Sequence, residues 1–132
     1  MTRTAHLVNA APKPRGPYSH AVSAGGLLAT AGASGIRPGQ EWNPVSDDVA
    51  EQARQALSNL AVILEDAGAS FHDVIRTGIY LTDPAHYGPV NEVYREMLPE
   101  PFPARTTVYV GLPPGILVEI DMLAVVPADG QS

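Results

Sequence analysis

A chain of 132 residues with a net charge of −6 and no cysteine excludes several functions before any motif is read. Its one lysine, Lys13, and its scattered arginines make no basic face for nucleic acid, and without cysteine there is no disulfide framework, thiolate nucleophile or zinc–thiolate site. The length suits one domain, residues 1–132 with an ordered core of about 4–126, large enough to bury roughly 65–70% of its unfolded surface.

Met1 to His6 is not followed by an apolar run of signal-peptide length. The longest apolar helical run, near Leu60 to Leu64, is far too short to cross a bilayer, so a soluble cytoplasmic protein without a membrane partner is expected. From Ala10 to Pro17 the chain is crowded with Ala, Pro and Gly, a loop leading into a short strand over Tyr18 to Ala24. Gly25-Gly26 reads as a two-residue hairpin turn that pairs this strand with the apolar run Leu27 to Gly32. Gly35 to Pro44 is a long loop without periodicity, of the kind that borders sites.

Asp48 followed by Glu51 has capping-box character and opens a helix. Val49, Ala53, Ala56, Leu57, Leu60, Ile63, Leu64 and Ala67 then recur at steps of three and four, and Gly68 supplies a left-handed stop. Val74 to Leu81 is rich in strand formers, Asp83-Pro84 is a turn, and Tyr87, Val90, Tyr94 and Met97 mark a second helix. Arg105 to Val110 and Ile116 to Val126 are two more strand candidates joined by Gly111 to Gly115, and Pro127 to Ser132 reads as a frayed tail. Strands on both sides of two helices imply an α+β sandwich rather than a doubly wound sheet.

The chemistry-bearing residues concentrate in the last two strands. Arg105 stands where a Pro-flanked loop gives way to alternating β-branched residues, so its side chain projects from a strand end. Its planar fork of donors can grip a carboxylate bidentately at any physiological pH, or it can serve a structural ion pair with Glu119, Asp121 or a loop acid. In the last strand Val118, Ile120, Met122, Ala124 and Val126 point one way, and Leu117, Glu119, Asp121, Leu123 and Val125 the other. Such a mixed face is half exposed or covered by a partner subunit, because an unpaired buried carboxylate costs several kcal/mol. Gly16-Pro17-Tyr18-Ser19 is first a turn and second a pocket wall. Ser19 and His20 are adjacent, which puts them on opposite faces and argues against a Ser–His nucleophile pair. Gly32 and Gly35 form no dinucleotide fingerprint, and His6, His20, His72 and His86 show no metal-ligand spacing, so no cofactor or metal is implied.

Gly16-Pro17-Tyr18-Ser19, Asp48 to Arg54, Val90-Asn91-Glu92-Val93-Tyr94, Pro103 to Val108 and Val118-Glu119-Ile120-Asp121, in this order and spacing, resemble the RidA (YjgF/YER057c/UK114) family of reactive-intermediate deaminases, from about Ala10 to Val126. The resemblance implies a chorismate-mutase-like α+β fold with two helices on one face of a sheet, assembling as a homotrimer with clefts at the subunit interfaces. It implies a hydrolase that deaminates 2-aminoacrylate-type enamines and imines to 2-oxo acids and ammonia without a cofactor, its partner being a carboxylate-bearing imine substrate rather than a nucleic acid. Mapped by motif, Arg105 matches the carboxylate-binding arginine and Glu119 the acid that orients or deprotonates water. Tyr18, Gly32 and Asn91 match cleft-lining positions, and Thr107 stands in the pocket wall.

Three features depart from the family pattern. Ala31 replaces a serine, Thr107 replaces a cysteine, and the connection from Val110 to Glu119 is one residue shorter. The alternatives are a carboxylate-binding or regulatory trimer on the same scaffold and, less suited to the charge balance, an endoribonuclease.

Overall fold

The computed structural model describes residues 2–127. Its nine regular elements are strands β1 (Thr4–His6), β2 (Ala21–Ala24), β3 (Leu27–Thr30) and β4 (Ala33–Ser34), helix α1 (Val49–Asp66), β5 (Val74–Leu81), α2 (Tyr87–Met97), β6 (Ala104–Tyr109) and β7 (Val118–Val125). All strands join one mixed sheet in the order β1-β2-β3-β7-β5-β6, with β4 also paired to β7. Only β5 and β6 run parallel, and α2 makes the crossover between them.

Local chemistry sets these boundaries. Gly25 and Gly26, at φ 59° and 82°, make the hairpin that puts Ala24 opposite Leu27. Asp48 caps α1 by accepting from the Ala50 amide at 3.1 Å. The expected reciprocal bond from Glu51 does not form: the Asp48 amide donates to Ser46 Oγ instead, and Glu51 accepts from that same hydroxyl. Gly68, at φ 83°, follows the last turn as expected.

Several boundaries differ from the sequence expectation. The first hairpin strand begins at Ala21, because Tyr18 to His20 still belong to the turn in which the Tyr18 amide bonds Gly16 O at 2.8 Å. The apolar run after the hairpin is broken at Ala31, whose amide turns to His20 O. The last strand begins at Val118 because the Leu117 amide donates to Gln52 Oε1. Strands β1 and β4 are too short to leave a pattern. Of the expected frayed tail, residues 128–132 lie outside the described residues.

Both helices cover one face of the sheet. Leu57, Leu60 and Leu64 of α1 and Val90 and Tyr94 of α2 form one core with Leu28, Ile79, Leu81, Val118 and Ile120 of the sheet. Val118, Ile120, Met122 and Ala124 of β7 face the helices, and Glu119, Asp121 and Leu123 face the other way, as the two-residue period requires.

Candidate active site

The candidate residues fall into two groups that a single chain keeps apart. The arginine and acid strands, consecutive in the chain, are not neighbours in the sheet: β5 lies between β6 and β7, since the parallel β5–β6 pair places β6 at the sheet edge. In register, Arg105 pairs with Thr77 and Thr77 with Met122, on the helix side, whereas Glu119 pairs with Tyr80 on the open side. Arg105 and Glu119 therefore face opposite ways.

On the helix side, Arg105 is held by neutral groups. Its Nε donates to Thr107 Oγ1 at 3.1 Å and its Nη2 to Asn91 Oδ1 at 2.5 Å. Its guanidinium lies 5.0 Å from the Tyr94 ring centre and 5.5 Å from that of Tyr87, within the range of cation–π attraction. Tyr94 is fixed in turn by its hydroxyl, which donates to the buried Thr77 Oγ1 at 3.0 Å. Among the described residues no carboxylate comes within 4.0 Å of Arg105, so the structural ion pair is not made. Both N–H groups of Nη1 and one of Nη2 remain for an anion. Together with Phe102 and Tyr109, these residues line an open recess of about 460 Å³.

By motif Asn91 matches a cleft-lining position, though as a lone residue near the start of the second helix it reads most simply as an exposed helix residue. It is half-buried, and Tyr87, Asn91 and Tyr94 share one face of α2. Their spacing of four and three carried that signal.

On the other side, Tyr18, Ala31, Gly32 and Glu119 line a cleft of about 860 Å³. Glu119 is half-buried, and burial first, then the charge of Asp121, raises its carboxyl pKa above the ordinary value. Asp121 accepts from the Tyr80 hydroxyl at 2.8 Å. Gly32 is required by close approach: a Cβ built there would lie 2.7 Å from Glu119 Cδ and 2.8 Å from its Cγ. The Tyr18 hydroxyl accepts from the Arg15 amide at 3.1 Å, which fixes the ring against its own loop.

His20 was legible in sequence only as an unlikely nucleophile partner. It is buried and latches the loop: its Nδ1 accepts from the Val8 amide at 2.9 Å, which makes Nε2 the protonated nitrogen that donates to Pro12 O at 2.6 Å. Among the described residues no cluster of His, Asp and Glu could hold a metal, and no helix is long and apolar enough to cross a membrane.

The family model described as Endoribonuclease L-PSP matches residues 8–126. A RutC family protein of Pyrococcus horikoshii is 45% identical over 115 residues, covering 86% of this chain and 90% of that protein. The human 2-iminobutanoate/2-iminopropanoate deaminase is 39% identical over 116 residues, 87% of this chain and 84% of its own length. A crystal structure of a conserved Rid family protein from Yersinia pestis has a TM-score of 0.90 at 35% identity, covering 95% of this chain and 100% of that one. With nearly the whole chain matched in sequence and in fold, the protein belongs to the RidA (YjgF) family, the family that carries the endoribonuclease description.

Proposed function

We propose that the protein hydrolyses 2-imino and enamino acids of the 2-aminoacrylate type to 2-oxo acids and ammonia without a cofactor, acting as a homotrimer. The observation that carries this reading is Arg105, a half-buried guanidinium fixed by Asn91 and Thr107 yet facing no carboxylate among the described residues. Such a group is preorganised for an anion from outside the chain. The complementary half, Glu119 against Gly32, lies on the opposite face of the sheet. A ring of three copies, each offering its arginine edge to the acid cleft of the next, would complete one site at each interface.

In that site Arg105 grips the substrate carboxylate through Nη1 and Nη2 and so fixes the adjacent C=N carbon. An enamine substrate first gains a proton at its terminal carbon and loses one from nitrogen to become the imine. Glu119 of the neighbouring copy accepts a proton as the water oxygen bonds to the imine carbon, and the nitrogen takes up a proton. In the collapse of the carbinolamine, protonated Glu119 gives its proton to the nitrogen, the hydroxyl returns to solvent a proton matching the one that the imine nitrogen took up from there, the carbonyl re-forms and the C–N bond breaks to release ammonia. A carboxyl of raised pKa is a better base than an ordinary one at neutral pH, and general-base help is worth about 10²- to 10⁴-fold.

Decay of enzymatically generated 2-aminoacrylate, followed by loss of imine absorbance, tests the proposal. Wild type is expected to accelerate the decay. Arg105→Ala, which removes two charged hydrogen bonds worth about 3 kcal/mol or more together, should lower kcat/KM by roughly a hundred-fold or more. Unchanged turnover in that variant overturns the mechanism. Tight 2-oxo acid binding without turnover would favour the carboxylate-binding alternative, for which Ala31 and Thr107 in the site walls are the motive. The endoribonuclease reading has no support in the charge balance, with one lysine and a net charge of −6.

A further inference from the structure

Two in-plane hydrogen bonds do not by themselves fix a guanidinium. Arg105 Nε donates to Thr107 Oγ1 and Nη2 to Asn91 Oδ1, and both donors lie along one edge of the planar group, so the plane can still tilt about the line that joins them. The fork left for a carboxylate, Nη1 with the second N–H of Nη2, swings with that tilt, and a bidentate grip depends on its direction. The stem adds little restraint, because β6 lies at the edge of the sheet. A third contact, off that line, is needed to hold the fork.

Two aromatic rings lie where that contact is required, and they differ in how firmly they are held. The guanidinium sits over Tyr94 at 5.0 Å and over Tyr87 at 5.5 Å. Tyr87 is 45% exposed, whereas Tyr94 is 4% exposed and packs against Phe102 with ring centres 6.2 Å apart. The Tyr94 hydroxyl donates at 3.0 Å to Oγ1 of Thr77, a fully buried residue of β5. Thr77 is also the register partner of Arg105 across the parallel β5–β6 pair. Contacts therefore run from the Arg105 backbone to Thr77, from Thr77 to the Tyr94 hydroxyl, and from the Tyr94 ring back to the Arg105 guanidinium. This circuit closes within one chain and joins β6, β5 and α2.

We propose that Tyr94 is a positioning residue, and that its hydroxyl bond to Thr77 sets the tilt of the Arg105 fork and with it the affinity of the site for the substrate carboxylate. The inference rests on the reading of Arg105 as the carboxylate grip of a deaminase, and it adds the group that aims that grip. Because the carboxylate is held in the same way before and during the reaction, a lost aim weakens binding more than it slows the chemical step.

Hydrolysis of enzymatically generated 2-iminopropanoate and calorimetric binding of pyruvate would be measured in wild type, Tyr94→Phe, Thr77→Val and Thr77→Ser. Tyr94→Phe and Thr77→Val are each expected to raise KM and the pyruvate Kd by about five- to ten-fold, what one buried hydrogen bond is worth, with kcat close to wild type. Thr77→Ser, which keeps the hydroxyl, should recover most of that loss. The double variant Tyr94→Phe/Thr77→Val should match the single ones, because each removes the same bond. Wild-type KM and Kd in Tyr94→Phe, whatever its melting temperature, would mark the hydroxyl as structural only and overturn the proposal, and so would a fall in kcat alone. Pyruvate binding that Tyr94→Phe weakens, in a protein that hydrolyses no imine, would reject the deaminase reading and keep the positioning role.

Discussion

Stability and the proposed catalysis pull in opposite directions at Glu119. Its pKa is raised in the fold, by burial and then by Asp121, so protonation favours the folded state. That contribution is fully present below the ordinary value of 4.5 and is lost as pH rises through the raised value. Glu119→Gln is therefore expected to melt higher than wild type at neutral pH, with the difference closing near pH 4, while its kcat/KM falls about a hundred-fold or more. Melting curves at both pH values check the sign; a lower melting temperature at pH 7 would refute it. Gly32→Ala should act on the same group, because the three atoms nearest the new methyl all belong to the Glu119 side chain. We expect the activity to be largely lost with the melting temperature little changed, and a wild-type rate would show that the carboxyl position does not matter. Arg105 and Glu119 were legible in sequence because each interrupts a strand of apolar or β-branched residues. The bond from Arg105 to Asn91, 14 residues away, was not, because no local pattern encodes a contact made by a crossover helix on a parallel strand.

At the scale of elements, the buried amides of α1 organise the acid cleft. Gln52, fully buried, donates to Ser46 O at 2.8 Å and Gly115 O at 2.9 Å and accepts from the Leu117 amide at 2.9 Å. It thereby joins the helix start to the loop that carries Pro113 and Ile116 into the cleft. Gln52→Leu strands those backbone groups and should cost about 3 kcal/mol or more, read from urea unfolding; a loss under about 1 kcal/mol would mean that water replaces the amide. The α1 apolar stripe, its Asp48 cap and the Gly25-Gly26 hairpin were all readable, since each depends on residues within one or two turns of chain. Ser46 displacing Glu51 from the cap was not, because a serine two residues before Asp48 offers its amide an equally local partner.

At the scale of the whole molecule, the alternation in β7 was readable but the strand order was not. The two-residue period assigns Glu119 to one face whatever strand lies alongside, whereas the insertion of β5 between β6 and β7 is a property of the crossover. That insertion separates the proposed cation and base and makes the account depend on more than one copy of the chain. Arg105→Ala and Glu119→Gln subunits, differently tagged, would be co-expressed and their mixed assemblies purified for assay. With each variant alone inactive, every mixed ring of three keeps both residues intact at about one interface in three, so about a third of wild-type activity should return. Mixed assemblies as inactive as their parents would contradict a site shared between neighbouring copies.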